Sequence, residues 1–355
     1  MSLLDNRESF KKLDTEDVFG SIGSMDKQIT HGWEQSESLE LPKRFENAEN
    51  VCVVGMGGSA LGSDFISAAF GGSLSAPIYI VNDYIIPAWV GKNTLVILSS
   101  YSGNTEEVVA AAEEVLGKTD LVAVVTSGGK LGDWAEKNSI AAVVIDPKHN
   151  PSGQPRIGIG YGIVGQMVIL AKAGLLSVTK EDVQSMALQM KRSHAEYGDA
   201  AEEDKNKAKQ LAQNIKESLV VLMTAEHTTG AGHIFQNQLH ETSKQLAVNF
   251  KLPELNHHLL EGMSHPKAVI EKMVCVLVSS ELYNKRNQKR IEVTKEVLEK
   301  QDICTEVFVP MGKTALEQAV DVVMFASYTT FYLAMLNNIN PAEIPWVDYF
   351  KEQMK

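Results

Sequence analysis

From residue 46 onward the chain alternates short apolar runs with longer stretches in which apolar residues recur every three or four positions. The runs at 51–54, 78–81, 94–98, 121–125 and 141–145 are rich in β-branched residues and read as strands. The stretches at 59–70, 105–116 and 131–137 read as helices. Short, continuously apolar strands separated by helices imply a parallel sheet covered on both faces. The expected fold class is therefore α/β, a doubly wound parallel sheet.

A second series repeats this rhythm. Strands are expected at 219–223, 247–250, 274–279 and 305–309, with helices at 231–246 and 284–300. The stretch 315–335 reads as helical with one break. Residues 1–45 are polar and mostly helical, with Val18, Ile22, Met25 and Ile29 at helical spacing. The segment 147–156 is a loop rich in Pro, Gly and Asn, 161–173 an apolar helix, and 177–216 charged and helical. The expected organisation is a helical lead-in (1–45), a first α/β domain (46–175), a helical junction (176–215) and a second α/β domain (216–355) that ends in a helix.

Composition narrows the partners. The 355 residues are 44% hydrophobic and 22% charged, with a formal net charge of −12. That balance disfavours nucleic acid and anionic membrane surfaces. An acidic chain that binds an anion must use local dipoles and a few placed cations. Cys52, Cys275 and Cys304 lie in or beside apolar runs and are expected to be buried and reduced. The first residues lack the basic start and apolar core of a signal peptide, so a cytoplasmic location is expected.

Two polar loops carry the candidate chemistry. Gly55-Met-Gly-Gly-Ser59 follows one strand, and Ser99-Ser-Tyr-Ser-Gly-Asn-Thr105 follows another. Each opens into a helix, which brings backbone N–H groups and hydroxyls to one sheet edge, the makings of a phosphate site. Gly57 and Gly58 allow close backbone approach, and Ser59 is expected at the helix N-cap. A G-x-G-G alone would also suit a dinucleotide. The hydroxyls of Ser99, Ser100, Ser102 and Thr105 suit a terminal phosphate monoester better, since its oxygens take many short donors. Plain turn chemistry explains one such loop; two at adjacent strand ends favour a site.

These loops resemble the SIS domain, a flavodoxin-like sugar-phosphate-binding module. Thr126-Ser-Gly-Gly-Lys-Leu131, Pro155-Arg156, Glu241 with its Thr-Ser-Lys, Asn256-His257 and the C-terminal Pro-x-x-x-Pro…Lys351 pattern extend the likeness over roughly 45–351. In this the chain is similar to the bifunctional phosphoglucose/phosphomannose isomerase family. The resemblance implies two tandem SIS domains and interconversion of glucose 6-phosphate and fructose 6-phosphate through an enediolate. It implies no cofactor and no metal, and a homodimer with shared active sites.

It also implies roles. Gly57, Gly58, Ser59, Ser100, Ser102 and Thr105 would hold the phosphate. Glu241 would be the base that moves a proton between C2 and C1. Its expected place is inside an amphipathic helix whose apolar side includes Phe235, Leu239 and Leu246, partly desolvated so that its proton affinity rises. The plain alternative is a surface Glu paired with Lys244. His257, from the neighbouring subunit, would open the ring, imidazole being able to give and take a proton near neutrality; His258 is expected to be exposed or satisfied. Lys351 would assist at the ring oxygen, against the alternative of a solvated tail lysine. Arg156 would stabilise the enediolate oxygens, against the alternative of bonding loop carbonyls.

One position departs from the pattern. Where the family often has Thr before the second Pro, linked to use of mannose 6-phosphate, this chain has Ile344. An apolar side chain there cannot hold a water or a sugar hydroxyl, so glucose 6-phosphate is the main expected substrate and mannose 6-phosphate the open one. Two rivals stay in view. His233, His240, His257, His258 and His265 could suggest a zinc-dependent isomerase, but no H-E-x-x-H pair is present. A non-catalytic sugar-phosphate-binding protein would keep the hydroxyl loops and lose the base.

Overall fold

The computed structural model describes residues 3–354. Five parallel strands, β1 (Asn50–Val54), β2 (Ile78–Val81), β3 (Thr94–Ser100), β4 (Val122–Thr126) and β5 (Ala141–Val144), form one sheet in the order β2-β1-β3-β4-β5. Four more, β6 (Leu219–Ala225), β7 (Ala247–Leu252), β8 (Met273–Val278) and β9 (Cys304–Phe308), form a second parallel sheet in the order β7-β6-β8-β9. The second order is the first without its last strand. The winding reverses between β1 and β3 in the first sheet and between β6 and β8 in the second, where ligands enter in open α/β sheets.

β3 is buried along its whole length, as its uninterrupted apolar run requires. One face of the first sheet is covered by the helices Glu106–Val115 and Gly129–Lys137, through Val108, Val115, Leu131 and Trp134. The other face is covered by Gly58–Ala69 and Ile159–Lys172. That side is continuous with the second sheet: Val51 and Leu95 share one apolar core with Val220 and Val274. The lead-in helix Met25–Ser36 packs against Ile159–Lys172 and Lys180–Tyr197.

The helix Ala315–Leu336 runs through this shared core without the expected break. Its inner hydroxyls bond the helix's own carbonyls: Ser327 Oγ donates to the Val323 carbonyl at 2.9 Å and Thr330 Oγ1 to that of Ser327 at 3.1 Å. This helix is long and apolar enough to cross a membrane, but 94% of its most apolar window is buried inside the protein.

Two further expectations need correction. The helix expected at 231–246 is Thr229–Glu241; it stops where the chain turns at Lys244, which has φ +55°. Leu246 therefore does not continue the apolar stripe and is 68% exposed. Cys304 is exposed, because it begins the edge strand β9, whereas Cys52 and Cys275 are buried and desolvation pushes both thiols up to about 12.

Candidate active site

The two polar loops lie on adjacent strands, with Val54 of β1 opposite Leu98 of β3. Gly57 caps the helix Gly58–Ala69 with φ +48°, a conformation that glycine reaches without strain. Ser59 is thus inside the first helical turn rather than at the N-cap, and its Oγ accepts from the Tyr101 N–H at 2.9 Å. The loops are bonded to each other by that contact. Behind them Gln166 is a lone buried amide in an apolar helix. It donates to the Ser59 carbonyl at 2.7 Å and to Ser99 Oγ at 3.0 Å.

The hydroxyls are unequally placed. Ser100 is buried and its Oγ lies 2.7 Å from Thr105 Oγ1. Ser102 is exposed and accepts from the Asn104 N–H at 3.3 Å. Neither helix N-terminus carries a side-chain cap bond, at Gly57 or at Thr105. Their first-turn N–H groups face the same edge, and two such ends favour an anion.

In the second sheet the turn after β6 carries a carboxylate. Glu226 has φ +46°. It accepts from the Asn284 N–H at 2.8 Å and from Asn287 Nδ2 at 2.6 Å, at the start of the helix Lys285–Lys300.

Arg156 and Glu241 meet beside the first pair of loops. Gly58 packs directly on the Arg156 loop: a Cβ there would lie 2.9 Å from the Pro155 carbonyl carbon and 3.0 Å from the Arg156 nitrogen. The Arg156 side chain is 1% exposed, and Glu241, the last residue of its helix, is 30% exposed. Arg156 Nη1 donates to Glu241 Oε2 at 3.3 Å and to Gln154 Oε1 at 2.8 Å. Nε donates to Thr242 Oγ1 at 3.1 Å, and Nη2 donates to the carbonyls of Pro341 at 2.7 Å and Ala342 at 2.8 Å. Burial lowers the proton affinity of this guanidinium, and the Glu241 charge opposes the shift. All five N–H groups are engaged, so this cation is a hub that joins three segments.

Lys244 does not pair with Glu241. Its Nζ donates to the carbonyls of Thr242 at 3.3 Å and Asn340 at 2.7 Å. His257 is exposed at the end of the turn Glu254–His257, and Lys351 is exposed on the last helix, Pro345–Gln353. Among the described residues neither bonds Arg156 or Glu241. Asn256 holds the His257 turn, donating to Thr294 Oγ1 at 2.7 Å and accepting from Arg290 Nη1 at 3.1 Å. His258 is exposed, 3.0 Å from Glu254. The other histidines are dispersed: His233 is 2.7 Å from Asp64 and His240 2.9 Å from the Ala247 carbonyl.

Sequence reasoning missed Gln154, Thr242, Gln166 and the carbonyls of Pro341 and Ala342. Gln166 left a signal, a single amide in an apolar helix. The carbonyls left none, since backbone acceptors are the same at every residue.

Residues 204–354 match the bacterial phospho-glucose isomerase C-terminal SIS domain. A bifunctional phosphoglucose/phosphomannose isomerase from Caldicellulosiruptor bescii is 27% identical over 95% of this chain and 98% of its own length. A protein of the same name from Aquifex aeolicus is 28% identical over 93% of this chain and 98% of its own. Among solved structures, a hypothetical protein from Thermus thermophilus superposes with a TM-score of 0.75 at 18% identity, covering 98% of this chain and 93% of that one. Over nearly its whole length the chain is thus similar to proteins named bifunctional phosphoglucose/phosphomannose isomerase, and its C-terminal part matches a bacterial phospho-glucose isomerase SIS domain.

Proposed function

We propose that this protein interconverts glucose 6-phosphate and fructose 6-phosphate, in the cytoplasm and in the service of glycolysis or gluconeogenesis. The observation that carries the reading is the bond from Arg156 to Glu241, made from a loop whose backbone packs on Gly58. A base thereby stands next to an anion-binding edge, as a substrate with a phosphate at one end and a carbonyl near the other requires.

The 6-phosphate is held by Gly57, Gly58, Ser59, Ser100, Ser102 and Thr105. Glu241 takes the proton from C2 of the open-chain aldose; that electron pair forms the C1–C2 double bond while the C1 carbonyl pair moves onto the C1 oxygen, giving the enediolate. A proton passes from the C2 hydroxyl to the C1 oxygen, and Glu241 returns its proton to C1 as the C2 oxygen becomes the ketone. Arg156 supplies positive charge beside the developing enediolate. Direct donation to it would exchange the long Glu241 contact or the Gln154 contact, whereas the two carbonyl bonds hold the rest of the guanidinium in place. No step in this sequence calls for a metal or an organic cofactor.

His257 and Lys351 serve ring opening from a homodimer with shared active sites. His257 moves the proton between the C1 hydroxyl and the ring oxygen, and Lys351 assists at that oxygen. The last helix favours such an assembly: Trp346 is 82% exposed, Phe350 62% and Tyr349 58%, which is apolar surface suited to a second copy. Sedimentation or light scattering tests it, and a monomer that isomerises glucose 6-phosphate at full rate overturns it. The activity itself is tested by a coupled assay with glucose 6-phosphate, mannose 6-phosphate and arabinose 5-phosphate side by side. Turnover of arabinose 5-phosphate alone, or of none, overturns the reading.

A further inference from the structure

The turn at 340–342 precedes the last helix, and cations from both sides of Glu241 hold it. Arg156 Nη2 binds the carbonyls of Pro341 and Ala342, and Lys244 Nζ binds that of Asn340. Three successive carbonyls of one turn are thus taken by two side chains. One of these bonds Glu241, and the other lies three residues beyond it. The far side of the turn is tied as well. Asn340 Nδ2 donates to Glu16 Oε2 at 3.1 Å and to Thr15 Oγ1 at 3.2 Å, and Asn340 Oδ1 accepts from the Ala342 N–H at 2.8 Å.

Lys244 reaches this position at a cost. It adopts φ +55°, a left-handed conformation that an L residue other than Gly or Asn seldom takes, so the surrounding contacts must hold it there. It also brings a second cation near Arg156. Desolvation, then Arg156, lower its pKa to about 8, with Glu343 and Glu241 acting the other way. An ordinary surface lysine would avoid both penalties by turning into solvent.

Within one protomer, the bonds at 340–342 are the side-chain ties nearest the last helix among the described residues. None of the residues of Pro345–Gln353 is buried, and among the described residues its side chains make no hydrogen bond or ion pair. The direction in which this helix leaves the body is set at 340–342. We propose that Lys244 is a positioning residue: with Arg156 it clamps the 340–342 turn and so places the last helix, and Lys351 on it, relative to Glu241. The role in turnover rests on the isomerase reading above; the clamp itself does not.

The test compares wild type, Lys244→Met, Lys244→Arg, Lys351→Met and the Lys244→Met/Lys351→Met double variant, with urea unfolding to verify that each is folded. Two quantities are read: isomerisation of glucose 6-phosphate, and amide hydrogen exchange over 343–353. Lys244→Met is expected to raise exchange in that segment about tenfold. It should lower kcat about tenfold and change KM less than twofold, because the phosphate loops are untouched. Lys244→Arg restores both quantities, since a guanidinium can donate to the same carbonyls. In the Lys351→Met background Lys244→Met has no further effect on kcat, as expected of residues acting through one element. Unchanged exchange over 343–353 in Lys244→Met, or effects of the two substitutions on kcat that multiply, overturns the proposal. A wild type without isomerase activity overturns the functional reading instead, and the exchange data then decide the clamp.

Discussion

Arg156 and Glu241 are 85 positions apart in the chain and meet at 3.3 Å, the guanidinium 1% exposed and the carboxylate 30% exposed. The partner that orients the carboxylate is sealed from water, while the carboxylate itself still opens outward. A general base needs both conditions, a fixed direction and access to substrate.

Glu241→Gln keeps the shape and a hydrogen-bond acceptor for Arg156 but removes the proposed base. Isomerisation is expected to fall by about 10²–10⁴-fold, with inhibition by inorganic phosphate unchanged. A variant that retains full turnover in the coupled assay would show that proton transfer is carried elsewhere.

Arg156→Met should act mainly on stability. It leaves the carbonyls of Pro341 and Ala342 and the Thr242 hydroxyl without their donor in a buried setting. A loss of about 3–5 kcal/mol is expected in urea unfolding. A loss below about 1 kcal/mol would mean that the turn finds other donors.

Gly58→Ala and Ser102→Ala touch the same loop pair in different ways. A Cβ at Gly58 would lie 2.9 Å from backbone at Pro155, so the Arg156 loop must move. That overpacking is expected to cost about 1–3 kcal/mol and to lower kcat together with phosphate affinity. Ser102 is exposed and touches only its own turn, so Ser102→Ala should raise KM several-fold and leave kcat alone. Equal kinetic effects of the two substitutions would contradict the packing described here.

Asp321 carries a pH dependence. Desolvation raises its pKa to about 6 from 3.8, although Ser193, the Met311 N–H, Tyr197 and Gln189 all donate to it. The folded state therefore holds this proton more tightly than the unfolded chain. The stabilisation is fully present below pH 3.8 and is lost as pH rises through about 6. The span corresponds to about 3 kcal/mol. The stability of wild type relative to Asp321→Asn should fall by that order between pH 4 and pH 7, as read from urea midpoints, and a flat difference would refute it.

Ile344 is half-buried at the N-cap of the last helix. Ile344→Thr adds a hydroxyl where the family often carries one. The ratio of mannose 6-phosphate to glucose 6-phosphate turnover is expected to rise about tenfold, the worth of one good hydrogen bond. An unchanged ratio would separate this position from substrate choice.

The alternation of apolar runs and helical stretches determined the two parallel sheets and the strands that bear the two polar loops, because burial on both faces leaves an unbroken apolar signature in the chain. The position of the two polar loops was legible for a related reason: glycines and hydroxyls mark strand-to-helix turns. Where the helix after β6 stops was not legible, because the stop depends on a left-handed Lys244 that bonds a turn almost a hundred residues away. Nor could the sequence show that Arg156 is sealed in with every N–H engaged, or that Glu226 bonds the start of the helix Lys285–Lys300. These are long-range pairings of single polar groups. They leave no periodic trace in the chain, and only folding brings the partners within bonding distance.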